Sequence, residues 1–213
     1  MPVPTGLETL LRLMSPVTAS DTTVDWDAMA ASWGRRFPSD YRRFMEVYGS
    51  GSVQDILGIS APTTPEATDT GPNGGMRSDA EVAEELWRKV RKAPELEGAV
   101  PRLIPWAASC SGDFLCWDAS DEDPDRWPIL VYERGDSVWR RYDCGMVDFI
   151  ARLLTADLPQ NPLNDDSLWG RRSAIYLTHT EYLRRMRAGL IPLTGEPDPD
   201  AGVWPYWPSD AAE

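Results

Sequence analysis

Histidine is almost missing from this chain: His179 is the only one in 213 residues. A Ser-His-Asp or Cys-His catalytic arrangement would therefore have to rest on that one imidazole. It falls inside Thr178-His-Thr-Glu181, a capping box whose second position normally faces solvent. No Gly-x-Ser-x-Gly elbow occurs. Gly49-Ser-Gly51 lacks the Gly-Lys-Ser/Thr ending that would let it hold phosphate, so it reads as a turn after a helix. Cysteine is scarce too. Cys110 and Cys116 are spaced too widely for a tight metal knuckle, and Cys144 is the only other sulfur. All three read as small buried hydrophobes. No metal or other cofactor is expected.

Positive charge is also in deficit. Lysine occurs only at Lys89 and Lys92, and the net charge is −13. That disfavours a phosphate-backbone binder and an anionic membrane surface. It suits a basic protein partner, and it also suits plain solubility. No run approaches the ~20 apolar residues of a membrane span. Residues 1–20 lack a basic start followed by an apolar block. The expected setting is the cytoplasm, with reduced thiols.

The chain does contain material for a core: 42% hydrophobic residues, ten of them tryptophan. One domain is expected over 1–190. It includes a mobile loop near 61–77 rich in Pro and Gly, and a Pro/Asp/Trp-rich tail follows over 191–213. Short helices are predicted from Thr5 to Met14 and from Asp25, an N-cap, to Gly34. Ser52–Ser60 is strand-like. Ser78-Asp-Ala-Glu81 reads as a capping box starting a helix to about Lys92, with Val82, Leu86 and Val90 on its apolar face. A β-meander follows over Arg102–Cys110, Phe114–Asp118, Pro128–Glu133 and Val138–Tyr142. A helix from Met146 to Thr155, a short strand at Ala174–Leu177 and a helix to Gly189 complete the order. The predicted class is α+β, with helices packed on one side of a mainly antiparallel central sheet.

The most informative segment is Phe37-Pro-Ser-Asp-Tyr-Arg-Arg-Phe-Met-Glu-Val-Tyr-Gly49. Pro38 pre-sets φ, Ser39 offers a capping hydroxyl, and Asp40 places a carboxylate at the positive end of the dipole. Tyr41, Phe44, Met45 and Tyr48 share a face, and Gly49 ends the helix. Phe37-Pro38, Asp40-Tyr41, Phe44 and Tyr48-Gly49 resemble the signature of the Smi/Knr-like family of the SUKH superfamily. Ile104-Pro105-Trp106, Gly112-Asp113, Trp117, Trp127-Pro128, Trp139 and Gly145 through Phe149 follow in that family's order. The likeness runs from about Trp26 to Gly170. It implies a SUKH-like fold in which Pro38, Asp40, Tyr41, Phe44, Gly49, Trp117, Trp139, Gly145 and Phe149 are structural.

The densest acidic run is Asp118-Ala-Ser-Asp-Glu-Asp-Pro-Asp125. Asp121, Asp123 and Asp125 alternate like calcium ligands, but Arg126 stands where the sharp turn needs Gly and Tyr132 where a bidentate Glu is needed. A solvated hairpin tip and an acidic prong for a basic partner both fit. In the second reading Asp118, Asp121, Glu122, Asp123 and Asp125 meet the partner, and Trp117 and Trp127 supply apolar anchors. Neutralising Asp121, Glu122, Asp123 and Asp125 together is then expected to spare folding and weaken binding. The resemblance implies a non-enzymatic protein-binding module, an immunity protein that occludes the active site of a toxin such as a nuclease. The alternative it allows is a regulatory scaffold of the cell-wall-assembly type. A hydrolase ranks last, because no paired-carboxylate motif is present.

Overall fold

The computed structural model describes residues 6–64 and 75–201. Most of the loop expected near 61–77, and Trp204, Tyr206 and Trp207 of the tail, lie outside the described residues. Two short helices open the chain, α1 (Gly6–Leu13) and α2 (Trp26–Trp33). Asp25 caps α2 by accepting from the Asp27 and Ala28 N–H groups, and Gly34 closes it in the left-handed region. The motif helix α3 (Ser39–Val47) follows. Its four predicted core residues, Tyr41, Phe44, Met45 and Tyr48, are all buried. Gly49 ends the helix at φ +71°, as a left-handed residue should.

The stretch expected as one strand is a hairpin. β1 (Gly51–Val53) and β2 (Leu57–Ile59) pair antiparallel. Gln54 and Asp55 both take positive φ between them, the conformation of a tight primed turn. Periodicity alone missed this because Gln54-Asp55 is not one of the Gly-containing pairs that mark such a turn. Gly51 is required where β1 meets β8 (Tyr176–Thr178), since a Cβ there would strike the Leu177 carbonyl.

The meander forms as expected in β4 (Leu103–Ser109), β5 (Phe114–Asp118), β6 (Ile129–Glu133) and β7 (Val138–Tyr142). With β3 (Arg91–Lys92) the sheet runs β3-β7-β6-β5-β4-β2-β1-β8. Only β3–β7 is parallel. The fold is therefore α+β with a mainly antiparallel sheet. On one face α1, α3 and α5 (Met146–Thr155) enclose the larger core with Trp106, Trp117 and Phe149.

Helices are not confined to that face. Helix α4 (Met76–Lys89) covers the other, where Ala83 and Trp87 meet Leu130, Tyr132 and Trp139. The helix starts before the supposed capping box, and Ser78 Oγ donates to the Gly75 carbonyl instead. Its buried line is Met76, Ala83 and Trp87, while Val82 is 44% exposed. Leu86 and Val90 of the expected apolar face do pack, half-buried, against this cluster, but the face is centred on Ala83 and Trp87 rather than on Val82. The cysteines also differ from expectation. Cys116 is buried, but Cys110 is exposed at the β4 end and Cys144 lies between.

Candidate functional site

Asp40 joins two helices. Its carboxylate accepts the Tyr41 N–H of α3 at 2.7 Å and the Val147 N–H of α5 at 3.1 Å. It thus caps α5 from outside, 107 residues away in sequence. Gly145 makes the approach possible, because a Cβ there would lie 2.5 Å from Asp40 Oδ2. Two residues singled out by resemblance are therefore one clasp. Burial pushes the Asp40 carboxyl above its ordinary range, and the nearby Asp125 charge adds to the rise. The N–H groups of Val147 and Tyr41 oppose it.

The acidic turn lies against this clasp. Asp125 Oδ1 accepts the Ser39 N–H at 2.6 Å, so the orphan donor at the start of α3 is capped from the turn. The Ser39 hydroxyl is not the cap. A long-range cap leaves no sequence signal, and local reading assigned the role to the nearest hydroxyl. Asp123 accepts the Asp125 N–H, starting the 3-10 turn Pro124–Arg126. Asp121 accepts the Asp123 N–H at 2.9 Å. Asp118 accepts from the Ser120 hydroxyl and from the Arg102 N–H. Glu122 is exposed and holds none of these backbone groups.

Two expectations about this turn need correction. Trp127 is only 3% exposed and Trp117 1%, so neither ring is offered to a partner. Trp127 donates its indole N–H to the Asp121 carbonyl at 2.8 Å. The Arg35 guanidinium lies over its ring, 5.6 Å from the centroid, and donates to the Ala119 carbonyl. The flanking tryptophans brace the turn from within. Asp121, Asp123 and Asp125 also hold backbone N–H groups, so neutralising them with Glu122 would loosen the turn as well as discharge it.

Other motif side chains pack in the two cores. Tyr41 and Trp117 meet edge-on at 4.9 Å, and the Tyr41 hydroxyl donates to the Ser60 carbonyl. Trp139 belongs to the second cluster, 5.3 Å from Trp87. Asp113, beside Gly112 in the β4–β5 turn, is fully buried. It accepts from the Ser109 hydroxyl and from the Arg134 and Asn164 N–H groups. One carboxylate thus ties three loops, a role its Gly-Asp turn signal hinted at without revealing the partners.

His179 stands apart from the acidic turn. It lines a cleft of about 220 Å³ on the open half of the second sheet face, with Cys110, Asp55 and Tyr182. Tyr182 donates to Asp55 Oδ2 at 3.2 Å. Among the described residues no group of three or more His, Cys, Asp or Glu is placed to hold a metal ion. No described helix is long and apolar enough to cross a membrane.

A mainly antiparallel sheet with helices on both faces, its motif helix clasped to α5 through Asp40 and Gly145, is a scaffold of the SUKH type. The model of the SMI1 / KNR4 family (SUKH-1) matches residues 22–152, and the chain belongs to that family. It is thereby an immunity or cell-wall-related protein module. No curated protein and no solved structure matches the chain. The family match takes in the clasp and the acidic turn, and ends before β8 and the last described helix, α6 (His179–Arg187).

Proposed function

We propose that this chain is a non-enzymatic binding module, an immunity protein that neutralises a toxin by covering a basic active-site surface. The observation that carries the reading is the construction of the Asp118–Arg126 turn. Its backbone is fixed by its own carboxylates and by the buried Trp127, while Glu122 and the outer edge of Asp123 remain in solvent. A projection built in advance loses little conformational freedom on binding. With a net charge of −13, it also steers a basic partner toward contact. Toxins that cut nucleic acid present such basic clefts, and an acidic face fills one without chemistry of its own.

The test begins with the genes neighbouring this chain's own, and uses as ligand the toxin domain that this reading expects one of them to encode. Glu122→Lys removes no internal bond, so the melting temperature should stay within about a degree or two of wild type. The association rate with the toxin domain should fall by roughly tenfold at low salt, and the difference should shrink as salt screens it. An unchanged rate removes the turn from the interface. If wild type itself does not bind, the regulatory-scaffold reading takes over.

A further inference from the structure

The second face of the sheet is covered unevenly. Helix α4 shields β4 through β7, whereas the row that continues across β4, β2, β1 and β8 is flanked, among the described helices, only by α6, at its β1–β8 end. In register, Ala108 opposes Gly58, Gly58 opposes Ser52, and Ser52 opposes Leu177. Three small residues on adjacent strands make a shallow floor, and their neighbours Val53, Leu57 and Ile59 point into the main core. Tyr182 of α6 forms one wall, and Asp55, at the tip of the β1–β2 turn, stands at the end. The resulting cleft, about 220 Å³, is below the roughly 300–1,000 Å³ of sites for drug-sized ligands. It has room for one long side chain.

Asp55 decides what that side chain is. Among the described residues no cation pairs with it, and Tyr182 occupies one carboxylate oxygen only. Burial already pushes its carboxyl upward, so a positive charge brought alongside would relieve that cost. A carboxylate beside a tyrosine ring, at the end of an apolar trough, matches a planar guanidinium on an apolar stem. We infer that this cleft receives an arginine side chain presented by the protein partner. The inference rests on the partner-binding reading above and adds a second, specific contact to it. Leu177 and Tyr182 lie beyond the family match, so the cleft is completed by this chain's own C-terminal elements.

The test needs no toxin. His179 lines the cleft, and its imidazole protons are a unique NMR reporter. Acetyl-Gly-Arg-Gly-amide titrated into the full chain should give a saturable shift of that resonance, and the norleucine analogue should give none. Asp55→Asn keeps the left-handed turn, which asparagine tolerates, and should weaken the midpoint by roughly tenfold. Ala108→Leu, which fills the floor without touching the turn, should abolish the shift. A midpoint unchanged in Asp55→Asn, or a norleucine response equal to that of arginine, overturns the inference. An equal midpoint for the lysine peptide overturns the guanidinium assignment. Either failure leaves the toxin reading standing, because that reading is decided by the association rate of Glu122→Lys.

Discussion

Phe44 sits fully buried between two tyrosines, stacked on Tyr48 at 4.6 Å and edge-on to Tyr176 at 5.7 Å. Each of those tyrosines sends its hydroxyl to a main-chain carbonyl, Tyr48 to Met14 and Tyr176 to Gly49. The apolar ring bodies fill the core while neither of these two phenols is left dry. Phe44→Ala removes the centre of this group and should cost about 3–5 kcal/mol, read as a loss of denaturation midpoint at unchanged m-value. A near-neutral result would contradict its core position. Phe44 was legible in the sequence because helical spacing alone put it on the Tyr41–Tyr48 face. Trp127 was not. Its flanking acids suggested exposure, whereas its ring is held from beneath by Arg35, ninety-two positions earlier in the chain.

At the scale of elements, the Asp40–Gly145 clasp sets how α3 meets α5. Asp40→Ala leaves the Val147 N–H without its cap and should cost about 1–2 kcal/mol. Gly145→Ala drives a methyl against the same carboxylate and should cost about 1–3 kcal/mol. The two losses should not add. Once the carboxylate is gone, the new methyl has room, so the double variant should be more stable than the sum predicts, by roughly 1 kcal/mol. Strict additivity in that cycle would mean the two positions act separately. The resemblance found both residues but not their contact, because nothing local in either segment encodes a partner 105 residues away.

Across the whole molecule, acid stability reflects carboxylates that pull in opposite directions. The hydrogen bond from Arg184, and then that from Arg185, hold the Glu181 carboxyl down, from an ordinary 4.5 to about 2. Its folded form gives up the proton more easily than its unfolded form. The stabilisation is therefore present above about 4.5 and is lost as pH falls toward about 2. Asp40 is shifted upward, so its ionised form costs stability, and that cost is released as pH falls through its raised value. Glu181→Gln should accordingly lower the melting temperature at neutral pH, and its deficit against wild type should narrow as the buffer is acidified below the ordinary carboxylate range. A deficit independent of pH would mean that the Arg184 and Arg185 contacts contribute nothing through charge. Arg185 also donates to the Pro192 carbonyl at 2.6 Å, so this ion pair fastens the start of the C-terminal segment onto α6.

The sequence by itself determined the meander, its turns, the motif helix with its buried face, and the α+β class. Those features depend on residues close together in the chain, where period, turn chemistry and helix-ending glycine act directly. Only the tertiary structure decided that β1 and β2 form a hairpin joined to β8, and that α4 covers the second face. It also decided that Asp125 caps α3, and that His179, Tyr182 and Asp55 share one cleft. Each of those outcomes is a contact between distant segments. Its energy comes from satisfying a buried donor or covering an apolar row, and neither requirement identifies in advance which remote residue will meet it.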